Sequence, residues 1–306
     1  MLKRYFLGLC ASLLLLFLIG NADAQRRRDT TEVDDREFLR LWQRATELNE
    51  EQKWRAKRTR NPRILARLAE DEDTGVRFFV AFNHATPDES LMALSADPSE
   101  SIRWAVAMNA SIPDDAMFQL AADYAEVVRL GLAANPKVSP SVLRNLAEDV
   151  AISVRRKVAS NANTEPVILG ILADDPERSV RLAVAQNANT SLTVMERFSL
   201  SPEEAFRLSI AENPGTSPAV LLGMVLDTAI PVRAAAAKHR GMPGPGLIRL
   251  SDDADFDVRQ SVVGNDQVPT EVLQKLAFDA DLGIRKTARN KLAKRLEKQI
   301  EIDRER

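Results

Sequence analysis

Val180-Arg181-Leu182-Ala183-Val184-Ala185-Gln186-Asn187 decides the fold, because the same eight-residue phrase returns along the chain without slippage. With its first hydrophobe as position zero, crests begin at Val76, Ile102, Val128, Val154, Val180, Phe206, Val232, Val258 and Ile284, always 26 residues apart. A fixed period of this length marks a repeat array, in which a unit buries its apolar face only by stacking on its neighbours. Position one is arginine in all nine units: Arg77, Arg103, Arg129, Arg155, Arg181, Arg207, Arg233, Arg259 and Arg285. Six residues before it stands an aspartate in eight of them, at Asp71, Asp97, Asp123, Asp149, Asp175, Asp227, Asp253 and Asp279, with Ser201 the exception. Such a pairing implies a ladder, in which a carboxylate at a helix entrance accepts from backbone amides and meets a guanidinium within or between units.

Each unit reads as two short helices. Crest positions zero and four, such as Val154 and Val158, share a helical face and are followed by a small residue, Ala159. The other helix carries Leu143 with Leu146 and Ala147, a spacing repeated at Leu169 and Leu273. Asparagine follows the crest in seven units: Asn83, Asn109, Asn135, Asn161, Asn187, Asn213 and Asn265. It is read as a helix stop, since Asn tolerates the left-handed conformation and its amide can bond to turn backbone. Thr86-Pro87-Asp88-Glu89 reads as the next helix start, with Thr86 as N-cap and Glu89 closing a capping box. Ala234–Ala237 followed by Gly241-Met242-Pro243-Gly244-Pro245-Gly246 predicts a soft joint after the seventh crest.

Composition agrees. A chain with 45% hydrophobic and only 5% aromatic residues describes an all-α protein with a thin, distributed core, and a large enclosed enzyme core is not indicated. The net charge is −2, and it stays near neutral once Lys3, Arg4 and Asp23 are removed.

That removal is expected because residues 1–24 read as a cleaved secretory signal: Lys3 and Arg4, an apolar run from Leu7 to Ile19, then Ala22-Asp23-Ala24. The alternative is a retained membrane anchor, although the run is short for a bilayer span. Cleavage also deletes Cys10, the only cysteine, so no disulfide is expected in the mature chain. Residues 25–60 form an N-terminal helical cap of one or two amphipathic helices, with Phe38, Leu41, Trp42, Ala45 and Leu48 on one stripe. Lys53, Arg55, Lys57, Arg58, Arg60, Arg63 and Arg67 make its end basic. The solenoid spans residues 61–292, and 293–306 is a charged C-terminal helix end.

The phrase Val-Arg-x-x-Val-Ala-x-Asn, followed by Thr/Ser-Pro and Val-Leu-x-x-Leu-Ala-x-Asp, resembles the leucine-rich repeat variant family and, more broadly, HEAT-like helical repeats. The resemblance implies a right-handed α-solenoid of helical pairs, one helix of each open between 3₁₀ and α. Some relatives hold an iron–sulfur cluster with cysteines that this chain lacks, so that cofactor is not carried over.

Chemistry is sparse. His84 and His239 are far apart and read as turn residues; no nucleophile elbow, phosphate loop or metal-ligand spacing occurs. No catalytic residue, cofactor or metal is assigned. Two function classes remain: an exported, periplasmic or secreted, non-catalytic scaffold for protein–protein interaction, and a nucleic-acid or polyanion binder using the basic N-terminal segment. The first is preferred, because the repeated arginines are matched by aspartates and an export signal argues against a nucleic-acid partner. No stable membrane insertion is expected once the signal is cleaved. The expected partner surface comprises crest positions two and six, which vary between units: Phe78 and Phe82, Trp104 and Met108, then Leu130. They are expected to form one apolar stripe pointing off the core.

Overall fold

A computed structural model describes residues 35–305, with side chains from 47 to 302. The signal segment and the side chains of Phe38, Leu41, Trp42 and Ala45 lie outside the described residues. The chain divides into a unit ending at Glu50 and a second unit, Glu51–Arg306, that holds the array. Among the described residues there are nineteen α-helices, one 3₁₀ turn at Met224–Leu226 and no strand. The cap segment forms a single helix, Asp35–Arg58.

Nine helical pairs follow, from Pro62–Leu68 with Thr74–Phe82 to Thr270–Leu276 with Leu282–Glu305. The short helices pack on the crest helices of their own units, a contact that the 3₁₀ turn makes in the seventh unit, and successive crest helices pack on one another. The protein is an α-solenoid. The short helices are α and not 3₁₀, save where Gly223 ends Pro218–Gly223 early and the chain tightens into the 3₁₀ turn.

The core is the periodic one. Val154, Val158, Val180 and Val184 are fully buried, as are Ala159 and Ala185 behind them. Leu143, Leu146, Leu169 and Leu172 close the core from the short-helix side. Each such side chain contributes about 1.5–3 kcal/mol through burial, but no unit is enclosed on its own.

Asparagine at the crest end is fixed by hydrogen bonding and not by the left-handed conformation. Six of these residues, the C-caps, have φ between −62° and −81° with extended ψ, so the left-handed reading is corrected. The Asn161 amide donates to Ala133 O (2.8 Å) and Asn135 O (3.1 Å) of the preceding unit, while its Oδ1 accepts from Asn163 N (2.8 Å). The same three bonds recur from Asn83 to Asn265. His239 takes the position in unit seven: its Nε2 bonds Asn213 O at 2.9 Å and its Nδ1 accepts from Gly241 N, which fixes the Nε2–H tautomer. In the last unit Lys291 donates to Gly264 O and Asn265 O. Burial holds its ammonium below the usual lysine range.

Two turn readings are also corrected. Pro87, not Thr86, is the N-cap of Asp88–Leu94 and no side chain caps that helix; the buried Thr86 hydroxyl donates back to Val80 O at 2.6 Å. At the glycine-rich turn of unit seven, Met242 is 2% exposed and Gly244–Leu250 is a regular helix. A Cβ on Gly246 would lie 2.3 Å from Met242 Sδ, so the large Met242 fills the space that the side chain of Val220 or Val272 takes in the neighbouring units. The turn is packed, contrary to the expected joint.

Asn161→Ala should lower stability in a denaturant titration by about 2 kcal/mol, since the buried Ala133 carbonyl loses its donor, Asn135 O keeps only its turn bond from Val138 N, and the Asn163 amide loses its acceptor. His239→Asn should change it by less than about 0.5 kcal/mol, because it restores the bond pattern of the other units.

Candidate interaction surface

The arginines form a ladder between units. Arg155 Nε and Nη2 grip Asp175 at 2.7 and 3.1 Å, while Nη1 donates to the backbone oxygens of Asp149 (2.8 Å) and Val150 (3.3 Å). Asp175 Oδ1 also accepts from Glu177 N, tying the carboxylate to the entrance of the next crest. Seven such rungs are closed: Arg77–Asp97, Arg103–Asp123, Arg129–Asp149, Arg155–Asp175, Arg207–Asp227, Arg233–Asp253 and Arg259–Asp279. In these seven rungs the partner of the arginine is therefore the aspartate 20 residues on, not the residue six before it, to whose backbone oxygen it bonds. Asp71, first of the series, receives Asp73 N on its carboxylate. Arg181 and Arg285 keep their two backbone bonds and have no carboxylate partner among the described residues.

The rungs are largely shielded; the Arg155 and Asp175 side chains are 14% and 4% exposed. The hydrogen bond to Asp123 raises the Arg103 pKa, and Arg103 also lies 4.6 Å from the Tyr124 ring centroid. The Arg233 hydrogen bonds hold the Asp253 carboxyl below its ordinary value. At Asp175, Asp227 and Asp279 burial pushes upward, and the guanidinium and amide bonds together overcome it. A groove of about 410 Å³ at units three and four is lined by Asp123, Arg129 and Asp149, all held in these rungs.

The apolar positions assemble into one aromatic cluster. Phe78 and Trp104 stack across two crests at 6.4 Å and 10°, and Phe82 stacks on both, 6.3 Å from Phe78 and 6.4 Å from Trp104. A Cβ on Gly131 would lie 2.7 Å from Trp104 Cδ1 and 3.6 Å from Met108 Cγ, so the indole rests on the bare backbone of the third crest, next to Met108. Phe78, Trp104 and Leu130 are half-buried against the core; Phe82 is 51% exposed. Position two is thus a flank of the core and not a free face, as the half-buried Leu182 and Leu208 show in units five and six. The exposed Arg156 and Lys157 of unit four interrupt the apolar run.

The basic segment is engaged in part, with Arg60, Arg63 and Arg67 exposed. Lys53 pairs with Asp73 and Arg55 with Glu51, Lys57 lies over the Phe79 ring, and Arg58 lies over Trp54. Among the described residues, no group of three His, Cys, Asp or Glu could hold a metal ion. His84 is exposed in its turn, where its carbonyl accepts from Ser111.

No protein-family model matches the chain. No curated protein matches it in sequence. Among solved structures it is similar to a leucine-rich repeat variant at 26% identity, over 67% of this chain and 81% of that one, with a TM-score of 0.49. The chain is a helical-repeat protein. It is also similar to the YIBA protein of Escherichia coli, at 16% identity over 88% and 99% of the two chains and a TM-score of 0.35. A designed armadillo repeat protein shares 14% identity over 76% and 99%, with a TM-score of 0.21. The fold itself rests on the stacked pairs and the two hydrogen-bonded ladders.

Arg155→Ala strands a shielded carboxylate and should destabilise the array by about 3 kcal/mol; Arg181→Ala, which strands none, should cost under about 1 kcal/mol in the same titration. The four lowered aspartates contribute stability that is complete above the ordinary carboxylate value of 3.8 and lost as pH falls through their folded values. Helical signal followed by circular dichroism should therefore fall away below that pH, and Asp253→Asn should shrink the acid-labile part.

Proposed function

We propose that the chain is an exported, non-catalytic scaffold that binds a protein partner. The observation that carries the proposal is the cluster of Phe82, Phe78 and Trp104, continued by Met108. It spans neighbouring crests with its outermost ring half in water. Aromatic and Met residues at such a patch supply the buried anchors of protein interfaces, and an array of equivalent units offers an extended surface for one chain to lie along. Trp104 serves two roles, as a surface ring and as packing on Gly131.

Export rests on the sequence of residues 1–24, and the address would be the periplasm or the exterior. Among the described residues no helix is long and apolar enough to cross a membrane. The alternative, polyanion binding by the basic segment, is disfavoured because an export signal argues against a nucleic-acid partner and because Lys53 and Arg55 of the segment are paired with Asp73 and Glu51.

A photo-crosslinking residue at position 82, used in the producing cells, should trap one discrete protein, and Met108→Asp should abolish the adduct with little change in melting temperature. Trp104→Ala should lower the melting temperature as well, through lost packing on Phe78 and Gly131. Crosslinks spread over many proteins, unchanged by Met108→Asp, would sink the scaffold reading. Intact mass of the exported chain should place its first residue at Gln25.

A further inference from the structure

Arg181 holds the one internal rung that this chain leaves open, and its geometry points to a binding site for an external carboxylate. In seven units the guanidinium presents Nε and Nη2 as a fork to an aspartate of the next unit, with Nη1 anchored on two backbone oxygens. Arg181 has the same anchor, donating from Nη1 to Asp175 O (2.6 Å) and Pro176 O (2.7 Å). Its Nε and Nη2 make no hydrogen bond among the described residues, because Ser201 stands where the aspartate belongs. Ser201 Oγ accepts from Glu203 N at 3.2 Å and so repeats the aspartate's contact to the crest entrance, but it carries no charge for the fork.

The surroundings suit an anion. The Phe206 ring lies 5.9 Å from Arg181 Cζ and is itself packed on Phe198, 5.0 Å between centroids. An apolar wall beside a guanidinium strengthens its interaction with a carboxylate by excluding water. The carboxylates of this chain beside the rung are already engaged: Asp175, whose charge also faces Arg181, is gripped by Arg155, and Glu203 is held by Arg178 at 2.6 Å. We infer that a carboxylate from outside the chain completes this rung, taking two hydrogen bonds from Arg181 Nε and Nη2 and a third from the Ser201 hydroxyl. An acidic side chain of a bound polypeptide and a free carboxylate share that chemistry. The inference stands apart from the aromatic cluster, so each can fail alone.

The test is nuclear magnetic resonance of arginine Nε–Hε groups in the intact protein, with Arg181 assigned by its loss in Arg181→Lys. Titration with acetate at constant ionic strength should move the Arg181 resonance saturably and leave Arg155 still. Ser201→Asp should bring the Arg181 resonance toward that of Arg155, remove its response to acetate and raise the melting temperature. A glutamate-rich peptide that acts at a concentration at least about tenfold lower than acetate assigns the site to a polypeptide; equal potency per carboxylate assigns it to a free ligand. An Arg181 resonance that ignores both probes, or that responds equally in Ser201→Asp, overturns the inference. Should Ser201→Asp not fold, Ser201→Asn supplies the comparison: a neutral side chain of the same size occupies the rung and should weaken the response.

Discussion

The structure depends on one buried contact, the side-chain amide at the end of each crest helix. Its two N–H groups satisfy carbonyls of the unit before it, and its oxygen satisfies an amide of its own turn. One of those carbonyls, such as Ala133 O, lies in the last turn of a helix, where no intrahelical donor is available, and the other, Asn135 O, has only its turn bond from Val138 N besides. Leaving them unpaired in a buried seam is costly, so every unit must place a short donor at that point. The exceptions follow the same rule. His239 offers an Nε2 donor and an Nδ1 acceptor, and Lys291 offers an ammonium at the last crest.

The arginine ladder works at the other end of the crest and in the other direction. A unit reaches back along the chain with its asparagine and forward with its arginine, so both ends of each crest helix are tied to different neighbours. Small residues between the ties, such as Ala105, Gly131 and Ala183, let successive crests approach closely. Stability in such an array is a sum of unit and interface terms. A substitution in one rung therefore acts locally, and an incomplete rung such as that of Arg181 is tolerated while its neighbours stay closed.

At crest positions two and six, which the repeat leaves variable, the units differ in what they show to solvent. Units one and two carry Phe78, Phe82 and Trp104, and the aromatic stack spends part of its area on holding two crests together. Only Phe82 stands substantially in water. A ring that both packs and is displayed presents a fixed shape, which limits the entropy lost when a partner docks.

The 26-residue period, the valine and leucine faces and the arginine–aspartate recurrence were all legible in the chain, because each follows from helical spacing and from composition repeated in register. So was the alignment of Phe78, Phe82 and Trp104, since equal spacing puts equal positions side by side. Tertiary structure alone decided the partners. A sequence offset of six residues suggested Arg155 with Asp149, whereas its carboxylate partner in space is Asp175, one repeat further on, because stacking brings the next unit's helix entrance beside the guanidinium. The same cause turned asparagine from a local helix stop into a bridge between units, moved position two from the open face to the flank of the core, and filled the glycine-rich turn with Met242. Contacts made by stacking depend on the distance between units, and no reading confined to one unit contains that distance.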